Sequence, residues 1–218
     1  MAIPVLFSFS GASPRCSRAS APLALLAIAL CGCSINLGSL SSEPEKRAPA
    51  TTAAAETDAS EAQVIVARGE ALVRSGKPQE ALAEFDKAIT LDPHNAEALY
   101  NRGLLYQSEK QHQLAIDDFT SANGLTPQRG EPLLARAISY LALDKTKEAV
   151  ADLDEAAQAE PQNAEIWTTR GLAYERLGDR PKAAGSYSRA LNIRPKNEAA
   201  RSGFTRVGGK AGESYDTF

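Results

Sequence analysis

Residues 96–129 read AEALYNRGLLYQSEKQHQLAIDDFTSANGLTPQR, and this stretch carries the plan of most of the chain. Leu99, Gly103 and Tyr106 stand at i, i+4 and i+7, and Ala115, Phe119 and Ala122 repeat that spacing. Each set puts one apolar stripe on a helix, so two amphipathic helices follow one another. Pro127 disfavours helix in the residue before it and stops the second. The same 34-residue period runs without a slip from Ala62 to Asn197, as blocks 62–95, 96–129, 130–163 and 164–197.

Within the blocks the same chemistry returns at fixed places. The eighth holds Gly69, Gly103, Ala137 and Gly171, and the eleventh Leu72, Tyr106, Tyr140 and Tyr174. The twentieth is always alanine (Ala81, Ala115, Ala149, Ala183), as is the twenty-seventh (Ala88, Ala122, Ala156, Ala190). Phe85, Phe119, Leu153 and Tyr187 fill the twenty-fourth, and Pro93, Pro127, Pro161 and Pro195 the thirty-second. Small residues let two helices approach and the large ones fill the space beside them, so these columns belong to a core and not to a ligand site. At the fifteenth place Gly76 and Gly178 suit a left-handed helix end, Asp144 less so, and Lys110 least. Arg68, Arg102, Arg136 and Arg170 recur at the seventh place, against Glu84, Asp118, Asp152 and Ser186 at the twenty-third. An arginine in every block fits a pair bracing two helices better than a local anion site, with Ser186 leaving Arg170 without that partner.

This pattern resembles the tetratricopeptide repeat, column by column. The resemblance implies an all-α fold: a right-handed superhelical α-solenoid of four 34-residue helix-turn-helix repeats. Asn197 caps a further helix over 198–207, with Ala200, Phe204 and Val207 on one face, as expected of a terminal cap. Gly208 and Gly209 end it, leaving 208–218 as a tail.

The resemblance also implies a concave groove lined by the first helix of each repeat. Its places fall on Val66, Glu70, Val73 and Arg74, then on Tyr100, Asn101, Leu104 and Gln107. The third block adds Leu134, Ala135, Ile138 and Leu141, and the fourth Thr168, Thr169, Leu172, Glu175 and Arg176. These residues do not recur between blocks, as a partner-specific surface requires, and their apolar middle suits a hydrophobic peptide or helix. Packing between neighbouring repeats, or a second copy of the chain in a homodimer, would use the same side chains. The carboxylate clamp of chaperone-binding relatives needs Lys and Asn in the first repeat and a basic residue in the third. Here those places hold Val66, Glu70 and Ala135, with only Asn101 retained.

The first residues are a different material. Residues 1–20 carry Arg15 and Arg18 and no acid, and a short apolar run over 21–30 is too brief to span a bilayer. A basic region, a short apolar core and small residues read as a secretory signal, 1–32. Its end, Leu30-Cys31-Gly32-Cys33, resembles the bacterial lipobox, which implies cleavage before Cys33 and fatty acylation of Cys33, palmitate included. Cys16 and Cys31 would leave with the signal, so no free thiol would remain in an oxidising periplasm. Residues 33–61, rich in Ser, Ala, Thr, Pro and Glu, read as a flexible tether. Ser34 after the acylated residue implies sorting onward to the outer membrane.

Loss of Arg15 and Arg18 leaves 22 of the 24 basic residues against 27 acids, a formal charge of −5 that does not point to nucleic acid. His94 and His112 are the only histidines, with no metal-ligand spacing, and phosphate loops and nucleophile elbows are absent. The sequence therefore predicts no enzyme, cofactor or metal. It predicts an envelope lipoprotein that binds other envelope proteins as a scaffold or adaptor; an assembly or pilotin-type factor for a secretin, pilus or other outer-membrane complex is the alternative.

Overall fold

The eighth and twenty-fourth places decide how the helices meet. A Cβ on Gly69 would sit 2.5 Å from the Phe85 ring, and one on Gly103 2.7 Å from Phe119. One on Gly171 would sit 2.6 Å from Tyr187. An aromatic ring thus lies flat on the facing helix only where that helix has no side chain. In the third block, where Ala137 replaces the glycine, Leu153 replaces the ring, and both are fully buried.

The computed structural model describes residues 50–209. Among them are nine α-helices and no strand: α1 (Ala50–Arg74), α2 (Pro78–Leu91), α3 (Ala96–Ser108), α4 (His112–Leu125), α5 (Glu131–Ala142), α6 (Thr146–Ala159), α7 (Ala164–Arg176), α8 (Arg180–Ile193) and α9 (Glu198–Arg206). Each helix packs on the next in sequence, and first helices α1, α3, α5 and α7 also touch in succession. This is a solenoid, with its core distributed over four apolar clusters. Each cluster joins a helix pair to the helix after it, as Phe85 of α2 joins Ala98 and Leu105 of α3, and Tyr187 of α8 joins Phe204 of α9. Every alanine of the twentieth and twenty-seventh places is fully buried.

The turns close in one way throughout. All four residues of the fifteenth place are left-handed: Gly76 (φ 75°), Lys110 (φ 63°), Asp144 (φ 58°) and Gly178 (φ 79°). The residue after each donates its backbone N–H to the carbonyl of the eleventh place, from Lys77 to Leu72 (2.9 Å) and from Gln111 to Tyr106 (2.8 Å), for example. This six-to-one bond satisfies a carbonyl that the helix end leaves open. Lys110 therefore adopts the glycine conformation despite its side chain. Asn95, Asn163 and Asn197 cap α3, α7 and α9 by accepting backbone N–H bonds. Arg129 occupies the same place before α5, and there the Glu160 carboxylate accepts from Gly130 N–H instead (2.6 Å).

Two sequence expectations change. The tether does not extend to residue 61, because α1 begins at Ala50, just past Pro49. The Ala-rich composition of 50–61 favours helix, and continuation from an existing helix avoids the cost of nucleation. The remainder of 33–61, the signal segment and Cys33 lie outside the described residues, as does the tail beyond Gly209. The second change concerns Arg170, which is not left unpartnered: Nε donates to Asp154 of the preceding block (2.6 Å) and Nη1 to the Ser186 hydroxyl (2.9 Å).

Candidate functional site

The expected lining residues fall into two groups. Val66, Leu134 and Leu141 are buried, with exposures of 1%, 8% and 5%. They belong to clusters binding adjacent repeats, so the third block contributes core where an apolar groove was expected. Ile138 and Leu172 are half-buried against the same packing. The reason is steric: first helices of successive repeats touch, and bulky aliphatic side chains on the shared side fill the joint. Polar lining residues are engaged there as well. Gln107 donates to the Ala135 carbonyl and the Ser139 hydroxyl (both 2.8 Å), tying α3 to α5, and Arg176 donates to the Leu141 carbonyl (2.6 Å), tying α7 to α5.

The second group converges. Val73, Asn101 and Leu104 line one cavity of about 390 Å³ between α1 and α3, together with Glu70, Arg74 and Ser108. Leu105 and buried Phe85 form its floor. Asn101 Nδ2 donates to Glu70 (3.1 Å), and Arg74 approaches the other oxygen of that carboxylate at 3.6 Å. Val73 stands at the mouth, 43% exposed. Tyr100 does not line this cavity; it is tilted on Phe119 with ring centroids 5.8 Å apart, and burial pushes its hydroxyl pKa up. The cavity has the volume and apolar character of a binding pocket, with a few polar groups at its rim.

Phe85 was not predicted as lining because its column read as core, and Leu105 because the tenth place belongs neither to the recurring columns nor to the groove places. The signal was Gly69, whose missing side chain lets the Phe85 ring pass under α1 to the cavity floor. Among the described residues no group of His, Cys, Asp and Glu could hold a metal ion, and no helix is long and apolar enough to cross a membrane.

The comparisons agree with the column pattern and the helix pairing. A TPR repeat model matches residues 69–109, and tetratricopeptide repeat models match residues 96–129 and 134–198. The chain belongs to the tetratricopeptide repeat family. Among solved structures, a crystal structure of MamA is similar at 22% identity and TM-score 0.61, over 64% of this chain and 81% of that one, a likeness of fold. A thermophilic TPR protein from Thermus thermophilus is 25% identical with TM-score 0.57, over 67% of this chain and 80% of that chain. The first TPR of Spaghetti, bound to an HSP90 peptide, is 25% identical with TM-score 0.52, over 53% of this chain and 92% of that one. No curated protein matches the sequence. As a tetratricopeptide repeat protein, the chain is a protein–protein interaction scaffold.

Proposed function

We propose that this protein is a lipid-anchored adaptor of the bacterial envelope that holds an apolar peptide or helix of a partner between α1 and α3. The observation carrying this reading is the cavity itself: Val73 is exposed above an apolar floor, on the side formed by the first helices. An inserted aromatic or branched aliphatic side chain would fill it, and a donor on the partner would face Glu70. An acidic chain terminus fits poorly, because Glu70 stands where a cation would be needed and Arg74 already leans on it. The anchor rests on the Leu30-Cys31-Gly32-Cys33 sequence, and the outer membrane on Ser34. Acylation holds such a chain at a bilayer because each buried CH₂ contributes about 0.8 kcal/mol.

The groove is tested with a photocrosslinking residue at position 73 in intact cells. Adducts are expected there, are lost with Leu104→Asp, and are absent when the crosslinker sits at exposed Ser121. Adducts that survive Leu104→Asp would place binding elsewhere. Cys33→Ala is expected to abolish fatty-acyl labelling and release the protein from membranes; persistent labelling would refute the anchor.

A further inference from the structure

Block four departs from the other three on the side where its two helices meet away from the α1–α3 cavity. At the twenty-third place Glu84, Asp118 and Asp152 give way to Ser186, and at the nineteenth Glu80, Leu114 and Glu148 give way to Lys182. The twenty-sixth place becomes Arg189, against Lys87, Ser121 and Glu155. At the fourth, Ile65, Leu99 and Leu133 become Trp167. These changes coincide in space. Trp167, Arg170, Pro181, Lys182, Ser186 and Arg189 surround Gly185 in a cavity of about 540 Å³ between α7 and α8.

The chemistry of the cavity is specific. Trp167 is fixed by its indole N–H, which donates to the Pro161 carbonyl (3.0 Å), and Arg170 lies over the ring at 5.3 Å. Arg170 is neutralised by Asp154, and Lys182 Nζ lies 3.3 Å from Asp179. Arg189 is exposed and makes no ion pair among the described residues. An apolar wall beside an uncompensated guanidinium suits a carboxylate next to an aromatic side chain.

We infer that this cavity is a peptide-docking site and that its occupant is the chain's own segment 210–218, KAGESYDTF. That segment sets Glu213 and Asp216 beside Tyr215 and Phe218. It leaves the fold at the right place: Gly208 and Gly209 line a smaller hollow with Arg180 and Pro181, and Pro181 borders both cavities. From Pro181 to Arg189 the helix rises about 12 Å. Four extended residues span about 13 Å, so Glu213 and the residues after it reach the guanidinium from Gly209. Docking of the segment covers Trp167.

Trp167 is the only tryptophan, so its fluorescence reads the site directly. In the full chain it is shielded from acrylamide. Glu213→Lys with Asp216→Lys, or Arg189→Glu alone, is expected to raise the quenching constant at least twofold with helicity unchanged. Combining all three substitutions restores shielding through the reversed pair. Ending the chain at Gly209, after α9, unshields Trp167, and added KAGESYDTF peptide shields it again. Equal quenching with and without the segment, or failure of the charge-swapped chain to recover, overturns the proposal. Shielding by added peptide alone, with the full chain already open, would assign the site to another molecule's acidic segment and also overturn it.

Discussion

At the scale of single residues, the fold turns on matched pairs. Gly103 and Phe119 are one: a methyl on the glycine would stand 2.7 Å from the ring, too close for any real contact. Gly103→Ala should therefore cost about 1–3 kcal/mol by overpacking. Adding Phe119→Leu should recover part of that loss, because Ala137 and Leu153 already realise that combination in the third block. A double-mutant cycle by urea denaturation measures the coupling, and purely additive losses would reject the pairing. The sequence showed each column separately, but not that the eighth and twenty-fourth places compensate one another. The eleventh place packs on the core as its column predicts, with Tyr174 buried and Leu72, Tyr106 and Tyr140 against the clusters. What the columns did not show is that half-buried Tyr106 and Tyr140 also lie beside Arg102 and Lys145, at 5.8 and 5.9 Å.

At the scale of elements, the helix ends are where sequence and structure diverge. Lys110 takes φ 63° because the turn between α3 and α4 requires it, at a cost of about 1 kcal/mol relative to a residue without Cβ. Lys110→Gly should raise the denaturation midpoint by an amount equivalent to about 0.5–1 kcal/mol, since the glycine also loses more entropy on folding. No gain would mean that the turn relaxes around the lysine. The helix pairs were legible because period and proline spacing are local signals. The start of α1 was not, since alanine, threonine and glutamate suit both a tether and a helix, and the choice falls to the helix they adjoin. The groove was legible by place and illegible by depth: Val73 and Leu104 open into a cavity, whereas Val66, Leu134 and Leu141 vanish into joints that no single block specifies.

At the scale of the whole array, the far end is closed by α9, whose Phe204 and Ala200 bury against α8. Arg206 completes the closure by donating twice to Glu175 of α7 (2.9 and 3.0 Å), and Tyr187 donates to the same carboxylate (2.7 Å). The Arg206 guanidinium, with help from Tyr187, holds the Glu175 carboxyl below its ordinary range against the opposing effect of burial. A depressed folded-state value means that Glu175 stabilises the fold above the usual glutamate pKa of about 4.3, and that this is lost as pH falls through the folded value. The midpoint difference between the protein and its Glu175→Gln variant should accordingly be present at neutral pH and shrink on acidification. A difference independent of pH would remove the ion pair from the account. The arginine column carries a further consequence. Arg102 and Arg170 reach back to carboxylates of the preceding block, Asp86 and Asp154, but Arg136 reaches back to the hydroxyl of Thr120. Ionic strength weakens the first and last joints and spares the middle one, since only exposed charge pairs are screened. Stretched in concentrated salt, the molecule would yield near its ends first, which makes its compliance a property that the surrounding electrolyte can set joint by joint.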